Sequence, residues 1–150
     1  MNYTTDKLLS VARQYVGTPY HHEGRVKGVG IDCVGLVICI HAELGIVLKD
    51  SIPYPQSPPP GMLDQHLKER DLQLIPRKYA KPGDFATFWI THPGSSVHLG
   101  ILTESGLIHC YTGMGKVVEH WMNRKWHRRI VSVRRSKDIA PGKLEIQWQL

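Results

Sequence analysis

The sequence has no apolar run of the roughly 20 residues needed to cross a bilayer. Its opening stretch, MNYTTDKLLSVARQYV, alternates polar and apolar instead of forming the continuous apolar core of a secretory signal. Synthesis in the cytoplasm, without a transmembrane segment, is therefore expected. Cysteine is scarce: three in 150 residues cannot all pair and are too few for a disulfide scaffold, so reduced thiols are expected. Acidic charge is short as well, with 13 Asp and Glu against 19 Lys and Arg for a formal net charge of +6. Such a surface is drawn to polyanions but names none. No internal repeat is visible, and the length suits a single domain over residues 1–150 with one core and one site.

What the chain does hold is the stretch GIDCVGLVICIHAELG, residues 30–45. A polar, glycine-spaced loop there turns into an almost wholly apolar run. Asp32 is a good N-cap, able to accept a first-turn N–H, which puts Cys33 in the first turn of a helix. Unpaired N–H groups and the helix dipole favour negative charge there, so a stabilised, nucleophilic thiolate is expected. The competing reading is that Cys33 packs as a small hydrophobe, as free cysteine commonly does. Only His41 and Glu43 are polar between Cys33 and Leu44, so this helix should be buried nearly all round, with Gly35 admitting another backbone and Gly45 ending it.

Ahead of it, Leu8, Leu9, Ala12 and Val16 recur at helical spacing over residues 5–16. The polar segment 20–30, with three glycines, reads as a loop. Behind it, PYPQSPPPG at 53–61 cannot make helix or central strand and reads as an extended surface loop within the domain. A short helix over 62–70 and a polar connection to Lys81 follow. From Asp84 the periodicity is that of strands, expected at 85–90, 97–103, 107–111, 116–120, 128–134 and 144–148. Helices first and neighbouring strands afterwards give an α+β domain with a mainly antiparallel sheet of about five or six strands.

A nucleophilic Cys33 needs a base, and nine histidines are available. His21, His22, His66, His92, His120 and His127 lie in polar contexts and read as surface residues, and His41 as a helix histidine with its hydrogen bond satisfied. His98 and His109 differ, because each interrupts an apolar strand, VHLGIL and LIHCY, where a buried imidazole must find a partner. An even-length hairpin loop puts both on one face. A four-residue loop over 102–105 sets them directly opposite, about 5 Å apart at Cβ. A tight turn at Ser105 and Gly106 separates them by about 13 Å. Gly100 leaves room on that face for the end of the Cys33 helix, and Cys110 points to the opposite face.

Nucleophile at a helix start, histidine on one strand and a polar orienting residue on the next is the arrangement of papain-type thiol proteases. GTPYHHEGRVKGVGIDCVGLV followed by KPGDFATF, SSVHLGIL and LIHCY resembles the NlpC/P60 family of cell-wall cysteine peptidases, over residues from about 8 to about 120. The resemblance implies a papain-like fold and cleavage of peptidoglycan stem peptides beside D-glutamate by a Cys-His-His triad, without a cofactor or metal. By position it makes Cys33 the nucleophile, His98 the general base and acid, and His109 the residue that orients His98. It assigns Tyr20 to the substrate pocket and the oxyanion site, and Asp32 to the peptide's free amine. Val34 stands where the family commonly has serine, which puts the standard stem-peptide specificity in question. The form GR-x-x-G-x-G-I-DCVGL resembles the compact version of phage and prophage tail proteins, which implies a virion component that opens the wall beside other tail-tip proteins.

Other readings stay open. Cys and His also bind zinc, although no close ligand pair accompanies Cys33. The fold can serve tail assembly with little or no catalysis, or host acyl transfer on other substrates through the same covalent step. The basic cluster 124–135 contains no nucleic-acid motif and reads as a solvated strand face. Trp121 and Trp126 suit either sugar stacking or the core.

Overall fold

The computed structural model describes residues 3–150. Strand β1 (Tyr3–Thr4) leads into helix α1 (Thr5–Arg13), capped by the Thr4 hydroxyl, which accepts the Lys7 N–H. The helix stops at Arg13, earlier than the apolar spacing suggests, and the chain leaves in tight turns that expose Val16. The segment expected to be loop contains a small hairpin of β2 (Arg25–Val26) and β3 (Gly30–Ile31). Helix α2 (Cys33–Glu43) follows directly, and Gly45 ends it in the left-handed conformation, φ +77°.

Helix α2 buries Leu36, Val37 and Ile40 but leaves Ala42 and Glu43 in solvent, so it is buried on one broad face and not all round. Gly35 sits where a Cβ would fall 2.2 Å from the Gly24 carbonyl oxygen. Gly35→Ala is therefore expected to force the hairpin off the helix start at a cost of about 1–3 kcal/mol. A urea midpoint unchanged from wild type would show that the contact is softer than it looks. His41 is fully buried, donates from Nδ1 to the Val37 carbonyl and stacks on Phe85.

Residues 46–60 carry no regular element. Helix α3 (Met62–Glu69) precedes β4 (Leu72–Ile75), a strand within what the sequence suggested was a polar connection. Only Leu72 of that strand is fully buried, so its alternation is weak. Then come β5 (Phe85–Phe88), β6 (His98–Leu102), β7 (Gly106–Cys110), β8 (Val117–Trp121), helix α4 (Arg124–Arg128), β9 (Ile130–Ser136) and β10 (Ile139–Ala140). One six-stranded sheet runs β4-β9-β5-β6-β7-β8 with every pair antiparallel, while β1 pairs with β10.

Two expectations at the C-terminal end need correction. Residues 124–128 form a capped helix, because the Asn123 side chain accepts the Trp126 N–H, and the strand begins only at Ile130. Residues 144–148 are extended without pairing as a strand, held instead by Gln147 N–H on the Glu104 carbonyl and Trp148 Nε1 on the Thr103 carbonyl. Part of the basic cluster is internal: Arg135 forks onto the fully buried Asp84 at 2.7 and 2.8 Å, and Arg134 donates to the Leu72 carbonyl.

The sheet has two packed faces. Leu99, Ile101, Ile108 and Cys110 face α1 and α2 in the larger core. Phe88, Leu102 and Leu107 face Trp126 of α4 in the smaller one. No helix among the described residues is long and apolar enough to cross a membrane.

Candidate active site

The start of α2, the loop 51–61 and the ends of β6 and β7 enclose a cleft of about 530 Å³. Tyr20, Asp32, Cys33 and His98 all line it. His109 stands behind His98, fully buried. The five residues singled out in the sequence thus come together in one region.

Asp32 caps α2 as expected, accepting the Gly35 N–H at 2.8 Å, and it does more. The same carboxylate accepts the Glu23 N–H at 2.7 Å, Arg25 Nη1 at 3.1 Å and the hydroxyl of Tyr54. Arg25 in turn holds Asp50 through Nε at 2.8 Å and Nη2 at 3.1 Å, and reaches the Tyr54 oxygen at 2.9 Å. The proline-rich segment is thereby fastened over the helix start as a cleft wall, where sequence alone made it a surface loop. Gln56 from the same wall donates to the Tyr20 hydroxyl at 3.2 Å. Burial, as the main effect, raises the Tyr20 and Tyr54 hydroxyls above their ordinary range, so both are neutral phenols.

Cys33 is half-buried at the mouth of α2, with the Leu99 and Val34 N–H groups turned toward its sulfur. Those donors favour the thiolate, but burial first and the Asp32 charge second outweigh them and push the thiol up to about 12. The dipole argument from sequence thus gives the wrong sign for the resting protein. The helix start supplies donors, while the neighbouring carboxylate and the apolar cleft oppose them. Among the described residues no hydrogen bond joins Cys33 to His98.

The hairpin takes a register between the two expected. Gly100 pairs with His109 and Leu102 with Leu107, leaving 103–105 between the strands, where the Thr103 hydroxyl accepts the Gly106 N–H at 2.8 Å. His98 and His109 share a face on a diagonal, and His98 Nε2 meets His109 Nδ1 at 2.8 Å. The space at Gly100 is taken by His109, Phe88 and Leu107. Helix α2 packs on the other face of the sheet, in the core that holds Leu99 and Cys110. Cys33 and His98 therefore reach the shared cleft from opposite faces of the sheet.

Burial pushes His98 down to about 3, and burial with neighbouring imidazoles pushes His109 down to about 2. Unfolded histidine titrates near 6.5, so below that pH the unfolded chain binds more protons than the folded one. Stability from this pair is full above pH 6.5 and falls as pH drops, by about 1.4 kcal/mol per pH unit for each imidazole. Urea unfolding at pH 7 and pH 5 is expected to show the loss, and His98→Ala to shrink it. An equal pH dependence in the variant would assign the loss to other groups.

The chemistry of one thiol, two strand histidines and backbone donors suits covalent acyl transfer. The NlpC/P60 family model matches residues 17–135 of this sequence. The chain belongs to the NlpC/P60 family. Solved structures agree on the fold. An NLP/P60-family protein, similar to a lipoprotein, from Staphylococcus aureus superposes with TM-score 0.63 at 23% identity, over 87% of this chain and 40% of its own. The peptidoglycan hydrolase RipB of Mycobacterium tuberculosis gives TM-score 0.62 at 19% identity, over 87% of this chain and 63% of its own. RipD of the same organism, described as a non-catalytic NlpC/P60 domain protein adapted to peptidoglycan binding, gives TM-score 0.56 at 17% identity, over 87% of this chain and 95% of its own. This chain thus spans less than two thirds of the first two relatives. Among curated proteins none matches it significantly.

Sequence reasoning missed three NlpC/P60 site neighbours. Arg25 and Tyr54 lay in segments read as loop, and only the folded wall shows them meeting at Asp32. His120 was read as surface, yet its Nε2 lies 2.8 Å from His109 Nε2. The signal was present: His98, His109 and His120 are spaced by eleven residues each, and His120 occupies an alternate position of an apolar strand.

Proposed function

We propose that this NlpC/P60 domain is a cysteine peptidase that hydrolyses peptidoglycan stem peptides beside D-glutamate. The observation that carries the reading is the shared cleft of Cys33 and His98, with His109 bonded behind His98. The neutral resting pair gives a concerted first step. The Cys33 thiol proton passes to His98 as sulfur bonds to the scissile carbonyl carbon, and the oxyanion forms near backbone donors. His98 returns that proton to the departing amine, leaving a thioester. A water then attacks the thioester carbon while giving its proton to His98, which hands it back to the sulfur as the acid leaves. His109 holds the His98 ring. Tyr20 supplies a neutral phenol at the cleft, and Asp32 supports the substrate's amine from a network in which four donors already share its oxygens.

The resemblance of GR-x-x-G-x-G-I-DCVGL to tail proteins extends the reading to a phage or prophage tail component, seated among tail-tip proteins and acting on the wall from the virion. Mass spectrometry of muropeptides released from purified sacculi by this protein tests the peptidase reading and names the bond. Products with new D-glutamyl carboxyl ends are expected, and intact stems after exhaustive digestion would refute the assignment.

A second reading has its own support. The thiol raised to about 12 and the imidazole lowered to about 3 describe a centre with little ionised nucleophile, and RipD shows the fold in a binding role. On that reading the domain is a tail-tip assembly or wall-binding part with little catalysis, retaining sacculi in a pull-down without releasing soluble fragments.

A further inference from the structure

The histidine chain continues past His109. His109 Nε2 lies 2.8 Å from His120 Nε2, and His120 Nδ1 lies 2.9 Å from the Trp121 carbonyl oxygen. A carbonyl only accepts, so His120 Nδ1 carries the proton. A neutral imidazole has one, so His120 Nε2 accepts and His109 Nε2 donates. That leaves His109 Nδ1 as an acceptor and makes His98 Nε2 its donor. One nitrogen then remains unprotonated, Nδ1 of His98.

We propose that His120 is a positioning residue: anchored on the Trp121 carbonyl, it sets the tautomers of His109 and His98 so that His98 Nδ1 is the site's base. The inference rests on the peptidase reading only for its kinetic consequence, since the tautomer order follows from the bonds. Trp126 clamps the relay edge-on to His109 at 4.7 Å, with His98 at 5.8 Å and His120 at 6.3 Å. Trp126 is itself almost fully buried, while the His120 end of the relay reaches the surface.

The arrangement has a direction that protonation reverses. When His120 takes a second proton, its Nε2 becomes a donor, His109 must turn Nε2 into an acceptor, and Nδ1–H of His109 then donates to His98 Nε2. The His98 proton moves to Nδ1 and the base is lost. Around His120 stand His109 and Leu107 of β7 and Trp126 of α4. The adjacent Glu119 points to the other face of β8 and is held by Arg13 at 2.9 and 3.1 Å.

The experiment is long-range proton–nitrogen NMR of histidine-labelled protein at pH 7.5, together with kinetics on sacculi for His120→Gln and His120→Ala. Wild type should show His98 and His109 protonated at Nε2 and His120 at Nδ1. A Nδ1–H tautomer at His98 overturns the proposal without any variant having to fold. The Gln amide oxygen can accept from His109, so His120→Gln should stay within about threefold of wild type. His120→Ala should lose about 10- to 100-fold in kcat, the range for an outer partner that orients a functional histidine, with KM little changed. Wild-type kcat in His120→Ala, or a Gln variant no better than Ala, would overturn it. If wild type releases no fragments, the peptidase reading fails while the tautomer spectrum still decides this one.

Discussion

Cys33→Ala is expected to abolish release of soluble muropeptides while the protein still folds. Of the two thiols lining the cleft, Cys33 stands at the helix start, whereas the Cys110 sulfur is buried and donates to the Ile31 carbonyl. Removing a nucleophile from a unit of this kind costs on the order of 10⁴ to 10⁶ in kcat, with a residue of activity from binding and oxyanion donors. Cys33→Ser should be nearly as inert, because a hydroxyl is a poorer nucleophile and the lowered His98 is a weak base for it. Stability should move by about 1 kcal/mol or less, since the side chain is half-buried and loses only its sulfur. Turbidity of sacculi and a thermal melt read both quantities. Activity above a few per cent of wild type in either variant would remove Cys33 from the chemistry.

Asp32→Ala is expected to be the most destabilising single change near the site. It takes away four acceptor contacts at once and leaves the Gly35 and Glu23 N–H groups without their partner. Breaking a buried ion pair from one side costs about 3–5 kcal/mol, and loss of an N-cap contributes about 1 kcal/mol of its own. Urea unfolding checks the size, and a loss below about 1 kcal/mol would show the network to be incidental. Asp32→Asn separates charge from shape. The amide keeps an oxygen for Gly35, but the negative charge that raises Cys33 is gone. Thiolate should then be commoner, and iodoacetamide at pH 8 should alkylate Cys33 faster than in wild type. An unchanged or slower rate would mean that burial alone sets the thiol.

How far the sequence could be read depended on the range of the interaction. Asp32 as cap, Gly35 as close contact and Gly45 as stop are local, and all three stand in the structure. The α+β class and the neighbouring antiparallel strands followed from apolar, β-branched runs between turn signals; β5, β6 and β7 are buried at every residue, while on β4 only Leu72 is fully covered. The failures are long-range. The hairpin register was set by the Thr103 hydroxyl inside its loop, a contact that turn preferences do not rank. The helix at Arg124–Arg128 went unseen ahead of the expected strand, because Trp126 packs on imidazoles of distant strands, a contact local sequence does not show. The sign of the Cys33 shift was missed because burial in the folded cleft, which local sequence does not show, is the main cause, and the residue supplying the cap adds a like charge to the thiolate.

The carboxylate at position 32 gives the site a mechanical property as well as an electrostatic one. The backbone that carries Cys33 and the wall that carries Tyr54 end on the same pair of oxygens. Force applied to the proline-rich wall is thus delivered through the Asp32 carboxylate to the first turn of α2, one residue from the sulfur. Lengthening the wall cannot decouple them, because the junction lies at Tyr54 and not at the ends of the loop. A load on the wall is therefore felt at the residue that starts the helix.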